Sequence, residues 1–172
     1  MKIHLVIPVA IFALLTWSAA NQRSQAQSTR AQKDSVKTAR LAAMIEQKDF
    51  VFKADMVYPL GGRSRNLSAD NYDLVIAGDT VTAYLPYFGR AYSAPINPSG
   101  GGIEFTSTNV DYSSTVRKKG GWEISIKRKD GNDPQQMFLT ISTGGYATLQ
   151  VSSVNRQSIS FNGTIVPRKK RK

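Results

Sequence analysis

Apolar residues recur at helical spacing up to about residue 48, and at every second position from there to the end of the chain. In "DSVKTARLAAMIEQK", Leu41, Met44 and Ile45 share one helical face, alanines keep helix propensity high, and Asp34 or Ser35 can cap the start. A helix is therefore predicted over 34–48. In "FVFKADMVY" the period becomes two, with Phe50, Phe52, Ala54, Met56 and Tyr58 on one face and Lys53 and Asp55 on the other. Inner rows of the same kind follow: Tyr72, Leu74 and Ile76; Val81, Ala83, Leu85 and Tyr87; Ile103 and Phe105; Val110, Tyr112 and Val116. Trp122, Ile124 and Ile126 come next, then Met137, Leu139 and Ile141, then Ala147, Leu149 and Val151, then Ile159, Phe161 and Ile165. Alternation of this sort marks antiparallel strands with one buried and one wet face. The connections "AGDT", "KKGG", "KDGND" and "TGG" carry the glycine and aspartate that short hairpin turns use. The expected fold is mostly β: an antiparallel up-and-down meander of about eight or nine strands over 50–166, forming a curved sheet or partly closed barrel with the helix packed on it.

One strand ends in an unusual concentration of rings. "TAYLPYFGRAYSAP", from Thr82 to Pro95, puts Tyr84 and Phe88 on the face opposite Tyr87, and leaves Arg90 and Tyr92 in an exit loop running to "PSGGG". Pro86 cannot donate to a ladder, so the strand is expected to be an edge, or bulged, there. Tyrosines that suit a strand, ended by Pro and Gly, account for the pattern. So does a ligand surface on which Tyr84, Phe88, Arg90 and Tyr92 stack on a sugar or apolar molecule while arginine pairs an anion. Two further loops fit either reading. "PLGGRSRN" offers Arg63 and Arg65 beside a glycine pair, an anion nest or a plain surface loop. "SSVNRQS" holds Asn155 and Arg156 in a turn, for local hydrogen bonds or for ligand contact.

"NLSADNYDLVIAGDTVTAYLPYFGRAYSAP", "GGIEF" and "ATLQVSSVNRQSISFNGTI" together resemble the signature segments of the domain of unknown function 4251 family, over about Phe50 to Ile165. That resemblance implies an exported protein of a Bacteroidetes-type bacterium. It implies no activity and no catalytic residue. The terminal "PRKKRK" is not part of the family pattern.

Composition narrows the chemistry. Lys2, the apolar run Ile3 to Trp17 and the small residues Ser18 to Ala20 have the layout of a secretory leader, with cleavage expected after Ala20 or else after Ala26. A retained anchor is the alternative. The chain has no Cys, and its one His, His4, lies inside this leader. Ser-His-Asp and Cys-His catalysis and the usual zinc sites are thereby excluded from the mature chain, and no metal or cofactor is expected. "DGND" lacks the remaining ligands of a calcium loop.

Charge comes last. The chain carries 23 Lys and Arg against 12 Asp and Glu, a net +11. Arg168, Lys169, Lys170, Arg171 and Lys172 form a basic tail, a solubilising terminus or a weak contact for anions and membrane surfaces. Arg117, Lys118 and Lys119 with Lys127, Arg128 and Lys129, on the two arms of one hairpin, fit a basic patch for an anionic polymer or, better, a solvated basic edge that blocks strand-to-strand aggregation, without the interleaved aromatics that nucleic acid needs. No carboxylate pair of glycosidase type is visible from spacing. The expected organisation is a leader (1–20), a polar linker (21–33), one β-rich domain (34–167) and a disordered basic tail (168–172). The expected function is that of a non-catalytic binding module, exported to the periplasm, envelope or medium, for a glycan, lipid or other small apolar or anionic ligand. A structural or protein-interaction component is the alternative, and a carboxylate-dependent hydrolase the second.

Overall fold

The computed structural model describes residues 32–92, 101–131, 134 and 136–169. The expected leader with both expected cleavage sites, most of the expected linker, Ser93 to Gly100 and the tail residues Lys170, Arg171 and Lys172 lie outside them. The chain divides after Lys37. A helix, α1, covers 32–46, so Gln32 and Lys33, expected in the linker, are already helical. In its second half Leu41 and Ile45 are buried, with Ala42 and Met44 packed beside them, as the helical spacing requires. Lys48 ends the helix in the left-handed region at φ 51°, the one non-glycine residue there among those described. Its carbonyl accepts from Gly78 N at 2.8 Å, tying the helix end to a hairpin.

Ten strands follow: β1 Asp49–Pro59, β2 Arg65–Asn66, β3 Asp73–Ala77, β4 Thr80–Leu85, β5 Ile103–Ser107, β6 Val110–Val116, β7 Trp122–Arg128, β8 Gln136–Ile141, β9 Tyr146–Ser152 and β10 Ile159–Pro167. They form one sheet in the order β5-β4-β3-β1-β10-β9-β8-β7-β6, with the two-residue β2 attached to β1. The first strand thus lies mid-sheet, paired with the last from Phe50 to Pro59 except at Asp55. Hairpin turns at Gly78, Gly120 and Gly145 have the positive φ that the sequence pattern predicts.

All neighbours on this nine-strand path are antiparallel. Counting reversals from one end to the other, β5 and β6 run in the same sense. Thr108 and Asn109 alone join them, so the chain cannot make a hairpin here. It bends from one edge of the sheet onto the other, and the barrel closes except for this seam. Side chains fill in where a ladder is missing. Ser107 Oγ donates to Asp130 at 2.7 Å, Arg128 Nε donates to the same carboxylate at 2.8 Å, and the Arg128 guanidinium lies 4.6 Å from the Phe105 ring. On the β6 side Lys48 Nζ sits 5.2 Å from the Tyr112 ring.

Inside, Phe50, Phe52, Leu74, Ile76, Ile124, Leu139, Leu149 and Phe161 are fully buried. The alternation departs from expectation at three places. In β1, Ala54 pairs with Gly163 and Met56 with Asn162, so Asp55 is an extra residue and the register shifts. Beyond this bulge Val57 and Pro59 turn inward, and Met56 and Tyr58, expected inside, turn out. In β6 the inner row runs past the end of the core, leaving Val116 77% exposed. Near Pro86 the strand is neither an edge nor bulged: β4 lies between β3 and β5 and stops at Leu85, one residue short of the proline.

Gly163 makes the bulge possible. A Cβ at this position would stand 1.8 Å from Lys53 O and 3.0 Å from the Phe52 ring. Gly163→Ala is therefore expected to destabilise the fold by about 3 kcal/mol, read as a lower urea midpoint with an unchanged slope. A second prediction concerns the seam. Among the described residues the buried Tyr112 hydroxyl has no hydrogen-bond partner, and burial pushes its pKa up to about 12. A folded-state pKa above the unfolded value of about 10 contributes stability below that value, and the contribution is lost as pH rises towards 12. Tyr112→Phe should raise stability by about 1 kcal/mol at neutral pH and flatten the alkaline loss.

Candidate functional site

The expected site residues lie along the rim where β1 and β4 end and β2 and β10 begin. Tyr84 projects from the outer face of β4, 48% exposed, and stacks on Tyr72 with ring centroids 5.4 Å apart. In register it lies between Asp73 and Glu104. Burial, with Asp70, Tyr84 and Glu104 nearby, pushes the Tyr72 phenol above its ordinary value. Burial also raises the Asp73 carboxyl, against the opposing effect of Lys53 across the strand. Phe88 is partly exposed and carries the Arg65 guanidinium 4.4 Å from its ring centroid. Arg65 is held there because β2 pairs with Met56 and Val57, just past the bulge.

The chain from Tyr87 to Tyr92 is clasped by the β9–β10 turn. Tyr87 Oη lies 2.8 Å from Arg90 O and 3.0 Å from Gln157 O, with its proton to donate. Gln157 N donates to Arg90 O at 3.0 Å, and Tyr92 N to Asn155 O at 2.8 Å. Arg156 Nη1 donates to the carbonyls of Gly101 and Gly102 at 3.0 and 3.2 Å, and its guanidinium lies 5.1 Å from the Tyr87 ring. This clasp leaves a gap of only about 10 Å³ above Ile103, Val151 and Ile159, room for one water at most and for no larger ligand.

Of the expected residues, Tyr84, Phe88 and Tyr92 present rings to solvent, Tyr92 at 68% exposure. Arg65 belongs with Phe88. Arg90, Asn155 and Arg156 engage in the clasp: Asn155 N bonds within its own turn to Ser153 Oγ, but Asn155 O and the Arg156 guanidinium reach across to Tyr92, Gly101 and Gly102. Arg63 is exposed in the loop before β2. Tyr72 and Gln157 were not singled out from sequence: periodicity places a residue on a face but does not name the ring or amide it meets on another strand. The basic patch does not form. Arg117, Lys118 and Lys119 lie at the β6–β7 turn, whereas Lys127, Arg128 and Lys129 lie at the hairpin's far end, where Arg128 pairs with Asp130 and Lys129 with Asp111. Arg168 is likewise withdrawn from the tail, its Nε 2.5 Å from Asp49. Among the described residues no three acidic, His or Cys side chains cluster as metal ligands.

Residues 32–165 match the model of the family described as Domain of unknown function (DUF4251), and the chain belongs to that family. The crystal structure of a DUF4251 family protein from Bacteroides eggerthii is similar in fold, with TM-score 0.58 and 21% identity over 79% of this chain and 91% of that one. No curated protein matches the chain.

The clasp makes a measurable prediction. Arg156→Ala removes both bonds to the β5 approach and the contact on Tyr87, so amide exchange at Tyr92 and Gln157 should accelerate at least tenfold while that of Leu149 stays unchanged.

Proposed function

We propose that this member of the DUF4251 family is an exported, non-catalytic binding module of the bacterial envelope, which meets its ligand at the rim formed by Tyr84, Phe88, Tyr92 and Arg65. One observation carries the reading: the rings at this rim stay in solvent although the barrel has an apolar interior that takes up rings such as Phe50, Phe52 and Phe161 completely. Exposed rings gathered at one end of a fold mark an interaction surface rather than leftover core. Tyr72 beneath Tyr84 and Arg65 over Phe88 hold two of them in fixed orientations. Ring faces beside a guanidinium suit a ligand with a flat apolar face and a negative group.

Export is supported by the N-terminal apolar run behind Lys2. No described helix is long and apolar enough to cross a membrane. The non-catalytic reading is supported by the lack of thiol and, beyond His4, of imidazole, and by carboxylates such as Asp73 and Glu104 that stand on an open sheet face on either side of Tyr84.

A second reading, a protein-interaction component, has its own support in β6. Arg117 N bonds to Gly121 O and Lys129 N to Asn109 O, so the odd-numbered residues of β6 face β7. The backbone groups of Val110, Tyr112, Ser114 and Val116 are turned to the seam side, where an added strand would pair.

Native mass spectrometry of the mature protein from its host's envelope separates these readings. The binding module predicts an added mass lost on denaturation, with at least tenfold lower occupancy in the Tyr84→Ala, Phe88→Ala double variant. A clean apo mass with a co-purifying protein contradicts it and favours the strand-pairing reading.

A further inference from the structure

The bulge that breaks the β1 pattern also builds a recess. On the outer face of the sheet a cavity of about 370 Å³, open on one side, is lined by Asp55, Arg117, Thr140, Tyr146, Thr148 and Asn162. Its position follows from register. Asn162, Thr148 and Thr140 stand opposite one another across β10, β9 and β8. Asp55 is the extra residue of β1, and Gly163 beside it contributes no side chain because Lys53 O occupies that space. Tyr146, 71% exposed as a residue, forms a wall.

The side chains are poised for a partner. Thr148 Oγ1 donates to Asn162 Oδ1 at 3.0 Å, which leaves the Asn162 amide nitrogen to donate and the Thr148 lone pairs to accept. Asp55 and Arg117 form no ion pair among the described residues. Asp55 is half-buried all the same. The recess therefore offers a carboxylate acceptor, a guanidinium donor, an amide, the hydroxyls of Thr140, Ser142 and Thr148, and one ring face.

We propose that this recess is a second binding site, distinct from the rim, for a neutral saccharide of about one or two rings. Opposite charges on Asp55 and Arg117 cancel, so an anion meets the carboxylate and a cation meets the guanidinium, whereas vicinal hydroxyls satisfy both at once. The Tyr146 ring supplies the apolar face on which a pyranose packs. The volume lies near the lower end of the range for ligand sites, about 300–1,000 Å³. With Asp55 as the one carboxylate in its lining, the recess binds sugar without the acid pair that would cleave it.

The test is an amide-resolved NMR titration of the mature protein with the methyl glycosides of glucose, galactose, mannose and N-acetylglucosamine, with inorganic phosphate and choline as charged probes. At least one glycoside should shift the amides of Tyr146, Thr148 and Asn162 saturably, and the charged probes should not. Tyr146→Ala and Asp55→Asn should each weaken that binding at least tenfold. Tyr146 is exposed, so its variant keeps the test valid should Asp55→Asn disturb the bulge. The proposal is overturned if no glycoside shifts these amides, if phosphate or choline shifts them instead, if both variants bind as wild type, or if the shifts fall only at Tyr84 to Tyr92.

Discussion

An antiparallel barrel needs an even number of strands, and this sheet's path has nine. Its ends cannot be joined by a hairpin, and much of the structure answers to that constraint. The chain solves it at Thr108 and Asn109, where one continuous run of backbone leaves the edge of the sheet at β5 and re-enters at the other edge as β6. The ladder bonds absent from this seam are replaced by a compact polar group: Asp130 takes hydrogen bonds from Ser107 and Arg128, which hold its carboxyl below the ordinary range, and Arg128 covers Phe105. Everything else on the path is an antiparallel pair, regular except for the β1 bulge against β10, which lets the inner rows meet as one apolar core.

On the proposed binding role, a filled interior moves recognition outward. In larger or wider barrels the lumen holds the ligand, but here Phe50, Phe52, Phe161 and their neighbours occupy it. Outer-face side chains and strand ends then become the surfaces free to bind. The structure provides two with different chemistry: a rim of rings and arginine beyond β4, and a polar recess over β10, β9 and β8. Both depend on β1. Its bulge supplies Asp55 to the recess, and the residues just past the bulge pair with β2 and so place Arg65 over Phe88.

The fold was largely legible because a two-residue period fixes which face each side chain takes once the strand is known. Trp122, Ile124 and Ile126 and the rows of β8, β9 and β10 fell inward as read. The period fails where backbone geometry changes without a change of composition. Nothing in "KADMVYP" marks Asp55 as the inserted residue; the cause sits in a distant strand, at Gly163. Val116 fits the inner row by spacing, yet the core stops before it. The rim was partly legible, since Tyr84, Phe88, Arg90 and Tyr92 crowd together in sequence. The recess was not, because Asp55, Arg117, Thr148 and Asn162 come from separate segments and meet only through register.

The proposed recognition takes place at the outside of a filled barrel. Methyl- and amide-resolved NMR of the mature protein, titrated with the combined glycan and lipid extract of its host's envelope, tests that directly. Saturable shifts at the rim or at Thr148 and its neighbours, with the methyls of Ile124, Leu139 and Leu149 unmoved, are the predicted result. Shifts of those core methyls, showing that a ligand enters the interior, would contradict it.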